Sequence, residues 1–152
     1  MRTTDFSRAP TIGQAGAEFV GATSFRHPLA LIGLYRRWRP VIRQLKVSPG
    51  YCGHQVWFRL PLTLGTVAFF RTMDDLLDFG RTPEHADLMQ WVMRPGNARG
   101  GFIRFWEVRP HGYSSGMWRA EPPHLMKAIE RYTPHAGEED PPTVAERAAL
   151  KR

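Results

Sequence analysis

An α+β fold in the order β-α-β-β-α-β is predicted by three observations. Four runs of strand-forming residues are spaced along the chain, apolar residues at helical spacing fill the first and third gaps, and a turn of hairpin length fills the second. Two helical segments crossing one antiparallel sheet define the ferredoxin-like plan.

Glu18 to Arg26 (EFVGATSFR) is rich in strand formers and ends just before Pro28, which suits a helix start better than a strand interior. Helix one then runs from Pro28 to about Val47, bent at Pro40, with His27 at its N-cap and Ser48-Pro49-Gly50 as its stop. Its apolar stripe reads Leu31, Tyr35, Trp38, Ile42 and Leu45, with Arg36, Arg39, Arg43 and Lys46 opposite. Tyr51 to Leu60 and Thr66 to Arg71 form strands two and three of a hairpin, joined by the turn Pro61 to Gly65.

Thr72 and Asp75 have capping-box spacing and open a helix carrying Leu76, Leu77 and Phe79. Gly80 to Pro83 interrupts it. Pro83 fits the first position of the next helical segment, with Thr82 as N-cap, and that segment runs to about Met93. After PGNARGG comes strand four, Gly101 to Val108, with Phe102, Arg104 and Trp106 on one side and Ile103, Phe105 and Glu107 on the other. Aromatics on both sides imply that both faces are covered, which a homodimer packed sheet on sheet would achieve.

At 152 residues the chain supports one core. Residues 1–16 read as a flexible tail, 17–120 as the ferredoxin-like domain, and 121–152 as a partly disordered extension in which Thr143 to Lys151 could form a short helix. The longest apolar run, LALIGLY, is far short of the ~20 residues a bilayer span needs, so a cytoplasmic protein is expected. A single cysteine, Cys52, leaves no intrachain disulfide and no multi-cysteine metal site. The net charge of +7 raises an anionic partner, but much of it lies on the solvated face of helix one, and nucleic acid is not expected. Metal-pair, phosphate-loop and hydrolase-elbow motifs are absent.

Two histidines carry the candidate chemistry. His85, in the first turn of its helix, shares a stripe with Leu88, Met89 and Val92, where the positive end of the helix dipole favours the neutral ring. That ring could ligate a metal or accept a proton. His54 shares its side of strand two with Cys52, Val56 and Phe58 and is the second candidate for ligand or acid-base duty.

From Val20 to Trp118 the chain resembles the dimeric α/β-barrel superfamily, and within it the spheroidene monooxygenase family and its bacterial relatives. The resemblance rests on SFR (Ser24 to Arg26), Pro49-Gly50, FFRTMDDLLDF (Phe69 to Phe79), PEH (Pro83 to His85), FIRF (Phe102 to Phe105) and SGMW (Ser115 to Trp118). It implies a homodimer that pairs sheets, with a ligand cleft between sheet and helices. Several branches of that superfamily bind haem there. The antibiotic-biosynthesis monooxygenase branch oxidises polyketide-like aromatics without a cofactor, and other relatives are cyclases or lyases. In haem-degrading relatives the ligand histidine falls near Leu88 and Met89, about one turn beyond His85.

A haem site here would draw on His85 as metal ligand, on Phe69, Trp91, Phe102 and Trp106 as walls, and on Arg26 and Arg104 for the propionates. The implied activity is a monooxygenase-type oxidoreductase of secondary metabolism acting on a hydrophobic small molecule, polyene or polyketide-like. A cofactor-independent oxygenase or cyclase would instead use His54, Tyr51, Trp57 and Asn97 to take a proton and hold an enolate. A non-catalytic haem or small-molecule carrier is the third reading.

Overall fold

The structure is a computed structural model that describes residues 2–3, 5–109, 112–113 and 118. They fall into two units, one of residues 9–109 and one of the described residues outside that range. Among the described residues of the latter, Arg2–Thr3 pairs antiparallel with Gly112–Tyr113. The end of the expected 17–120 domain and the helix expected at Thr143 to Lys151 lie outside the described residues.

Residues 9–109 contain four strands and three helices: β1 (Ala17–Phe25), α1 (Leu29–Val47), β2 (Tyr51–Arg59), β3 (Thr63–Phe70), α2 (Met73–Gly80), α3 (Pro83–Met93) and β4 (Ala98–Glu107). All neighbouring strands are antiparallel, in the order β2-β3-β1-β4, which is the ferredoxin-like sheet. Each crossover, β1-α1-β2 and β3-α2-α3-β4, joins two parallel strands with a third lying between them, as that plan requires.

Several boundaries differ from expectation. β3 begins at Thr63, so the turn is shorter than Pro61 to Gly65, and Gly65 lies within the strand. A side chain there would collide with the Trp57 ring, which lies over the bare backbone. β4 begins at Ala98 because Phe25 and Ser24 continue pairing with Ala98 and Gly100 across a bulge. Thr11–Gln14, read as tail, forms a 3-10 turn whose Ile12 side chain stands over Gly53 of β2.

α1 passes through Pro40 without interruption. His27 caps its start, its Nδ1 accepting the Ala30 N–H at 3.2 Å. The buried residues are Ala30, Leu34, Val41 and Leu45; of the expected stripe Leu31, Trp38 and Ile42 also pack against the core, while Tyr35 stands outside with Arg39 over its ring, so the inward face is centred toward Ala30 and Leu34. The reason is the contact with α3. Gly33 brings α1 against the Trp91 indole, and a Cβ at Gly33 would lie 2.6 Å from Cζ2 of that ring. Arg37 also lies over Trp91, and its Nε is 3.3 Å from Oδ2 of the exposed Asp87 carboxylate. The Asp87 end of the pair is open to water and the contact is not a hydrogen bond, so it contributes little, and the packing holds the helices.

The Thr72 hydroxyl caps α2 by accepting the Asp75 N–H at 3.1 Å and donates to Asp75 Oδ2 at 2.6 Å. Thr82 occupies the N-cap position of α3 and Pro83 follows it in the first turn, but the Thr82 hydroxyl donates backwards to the Phe79 carbonyl at 2.7 Å. The short link between α2 and α3 is thereby fastened to α2. Phe25, Phe70 and Leu45 are the largest fully buried side chains and fix the centre of the core between sheet and helices.

Alanine is favoured over glycine inside a helix by about 1 kcal/mol, yet Gly33→Ala is expected to lower the urea midpoint. The new methyl meets a buried indole that cannot retreat, and overpacking costs roughly 1–3 kcal/mol.

Candidate functional site

A cavity of about 400 Å³ lies between the sheet and the helices, within the usual size range for small-molecule sites. Strand register explains its floor. Phe19, Gly21 and Thr23 of β1 pair with Ala68, Thr66 and Leu64 of β3 and with Phe105, Ile103 and Gly101 of β4, so these residues share the helix-facing side. Around Gly21, Thr23, Thr66 and Gly101 the floor carries little side-chain bulk. The walls are apolar and come from α1 (Leu34, Trp38, Val41, Leu45) and α3 (Leu88, Met89, Val92, Met93).

His85 is the one titratable residue among the described residues lining this cavity. Its Nδ1 lies 2.9 Å from the Gly80 carbonyl oxygen, which can only accept, so Nδ1 carries the hydrogen. In the neutral ring Nε2 is then the basic atom. Burial holds the imidazole below its ordinary value near 6.5, opposed by the hydrogen bond to Gly80. The ring also packs against Phe79, with centroids 5.4 Å apart.

His54 sits elsewhere. It does not line the cavity and instead lies 2.6 Å through Nδ1 from the Tyr51 hydroxyl. Burial, and secondarily the Lys46 charge, hold its imidazole below the usual range, while burial pushes the Tyr51 phenol up. Both shifts favour the neutral forms, and the two groups are hydrogen-bonded to each other. Asn97 is also committed, donating to the Trp91 carbonyl at 2.7 Å at the end of α3. Trp57 stands over Gly65 on the sheet face turned away from the helices.

The residues considered for haem do not come together. Arg104 and Trp106 pair with Val20 and Glu18 on the open face, opposite His85, where the Arg104 guanidinium lies 6.0 Å from the Trp106 ring centre. Phe69 is on that face too. Phe102 borders the cavity from a strand position whose side chain belongs to the open face. Trp91 is buried between α1 and the core beside Phe25. Arg26 is exposed, its Nε donating to the Ala98 carbonyl at 3.1 Å. Leu88 and Met89 line the cavity but offer iron no imidazole. Propionates need cations, and among the described residues no lining residue supplies one. These residues do not fit a haem in this cavity. Among the described residues no three His, Cys, Asp or Glu side chains cluster as a metal site.

The histidine was legible from its place on an apolar stripe. The small floor residues were missed, although Gly21, Thr23, Thr66 and Gly101 could have been recognised once the strands were registered.

No family model matches the chain, and no curated protein does. Solved structures do. SnoaB of Streptomyces nogalater, a cofactor-independent oxygenase, aligns with a TM-score of 0.50 over 62% of this chain and 94% of its own, at 10% identity. A candidate antibiotic biosynthesis monooxygenase from Caulobacter crescentus aligns at 0.52 over 62% and 92%, at 18% identity. A dimeric ferredoxin-like protein of unknown function from Thermobifida fusca aligns at 0.50 over 62% and 92%, at 9% identity. The chain thus has the ferredoxin-like α+β fold found in antibiotic biosynthesis monooxygenases. No helix among the described residues is long and apolar enough to cross a membrane.

Because the His85 value is lowered in the folded state, the unfolded chain binds a proton first as pH falls. Stability present above about pH 6.5 is expected to decline as pH drops through the lowered value. Urea unfolding at pH 7.5 and 5 should show this loss in the wild type and a smaller one in His85→Gln.

Proposed function

We propose that the chain is a monooxygenase-type oxidoreductase that works without a bound cofactor on a hydrophobic, ring-containing small molecule, with His85 as its general base. One observation carries this reading: among the described residues the apolar cavity has a single titratable lining residue, and the hydrogen bond from its Nδ1 to Gly80 leaves Nε2 as the proton acceptor. The fold shared with a cofactor-independent oxygenase supports it. The haem-dependent alternative finds no cation for the propionates among the described residues lining this cavity.

The chemistry suits a substrate whose CH₂ group is acidified by neighbouring carbonyl or phenol groups. Nε2 takes one proton, and the Thr23 and Thr66 hydroxyls offer hydrogen bonds to the delocalised anion. That anion passes one electron to dioxygen, and the resulting carbon radical and superoxide join through a C–O bond. The peroxide recovers the proton from the imidazolium. Loss of the remaining C–H proton and cleavage of the O–O bond release water and leave a carbonyl, so SH₂ + O₂ gives S=O + H₂O. A buried imidazolium is disfavoured, which helps the proton return.

We further infer a homodimer that covers the open sheet face. Trp57, Phe102 and Trp106 leave much of their surface exposed there, more apolar area than an isolated face comfortably presents to water. A second copy would bury it without touching the opposite, helix-covered side.

Oxygen uptake and carbonyl formation with anthrone-like substrates should fall by roughly 10²-fold or more in His85→Ala, with the circular dichroism spectrum preserved. Uptake dependent on added haem, or equal rates in the variant, would overturn the reading. Sedimentation should give a dimer at micromolar concentration for the wild type and a monomer for Trp106→Glu.

A further inference from the structure

The outward face of α1 combines charge and apolar surface in a way the cavity does not use. The helix carries Arg36, Arg37, Arg39, Arg43 and Lys46, and its sequence, Leu29–Val47, contains no acidic residue. Arg37 turns toward Asp87 and Trp91. The other four cations point outward, and none of them is in an ion pair among the described residues. Leu29, Ile32 and Tyr35 share that face at 70, 56 and 62% exposure. At 100° per residue these three and the four cations fall within an arc of about 120°. Apolar residues occupy its first two turns and cations the rest.

We propose that this face docks the protein on an anionic lipid surface. Leu29, Ile32 and Tyr35 would enter the headgroup region, and Arg36, Arg39, Arg43 and Lys46 would meet the lipid phosphates. An interfacial helix needs both components, a cationic flank and apolar residues that leave water on contact. Nucleic acid would use the cations but would gain nothing from Leu29 and Ile32, because its affinity comes mainly from phosphates.

A second relation points the same way. Gly33 meets Trp91 and Arg37 meets Asp87, so α1 and α3 run antiparallel, and the C-terminal end of α3 lies toward the apolar end of α1. Met93, 78% exposed, is there, and it also lines the cavity. Met93 thus places one edge of the cavity near the apolar end of α1. Docking itself stands on α1 alone. Entry of a substrate from the bilayer rests on the oxygenase reading, and measuring vesicle binding apart from turnover separates the two.

The full chain is tested by flotation with vesicles of phosphatidylcholine alone and of phosphatidylcholine with about one quarter phosphatidylglycerol. Binding is expected to the anionic vesicles and not to the neutral ones, falling with added salt. Each cation near the surface contributes about fivefold in partitioning, so Arg36→Gln/Arg39→Gln/Arg43→Gln should lose on the order of a hundredfold. Leu29→Ser/Ile32→Ser should weaken binding at unchanged charge. Absence of flotation with anionic vesicles would overturn the proposal. So would unchanged binding by the Leu29/Ile32 variant together with full competition by duplex DNA, which would mark a nucleic-acid surface. Circular dichroism of each variant confirms that it is folded, and all substituted side chains lie on the surface.

Discussion

A four-stranded antiparallel sheet has two faces, and the helices available here cover only one of them. Most features of the structure follow from that constraint. On the covered face Phe25, Phe70, Leu45 and Phe79 form the core. Where the floor residues shrink to glycine and threonine, the helices bridge over the sheet instead of settling onto it, and the cavity is the space left beneath them. On the other face Trp57 spreads over Gly65, and Trp106 and Phe102 remain in contact with water. The same economy of helices that opens a cavity also leaves aromatic side chains exposed on the other face.

The fold was readable because its signals are periodic and local. Strand alternation, Pro28 at a helix start and the Thr72–Asp75 pair all act over a few residues. Position on a sheet face is different, because it depends on pairing between distant segments. Phe102, Arg104 and Trp106 were correctly grouped on one side of the last strand, but nothing local tells which side the helices cover. That single unknown parity separated Arg104 and Trp106 from His85. On α1 the expected stripe holds at Leu31, Trp38, Ile42 and Leu45, which pack on the core, and fails at Tyr35. The close approach of α3 falls on Gly33, where the Trp91 indole needs a bare backbone. Contact there selected size over hydrophobicity.

The two histidines show how environment divides residues of one type. Both are held below the ordinary value, chiefly by burial. At His54 the Nδ1 faces the Tyr51 hydroxyl, which can donate or accept, so either neutral tautomer is satisfied. At His85 the carbonyl can only accept, which fixes the hydrogen on Nδ1. Partner chemistry, not the pKa shift, distinguishes them, and His85 lines the apolar cavity.

The Gly80 carbonyl is available to His85 because α2 ends where it does. In an uninterrupted helix that oxygen would accept the amide N–H four residues on. Here it binds a side chain five residues on, across the break between α2 and α3. The break is therefore a spacer of set length. Exchanging the exposed Arg81 for another residue is compatible with that arrangement, whereas adding or removing one residue would turn the first part of α3 by about 100° and carry the imidazole away from its acceptor. Among relatives sharing this arrangement, the segment between Gly80 and His85 should vary in composition far more freely than in length.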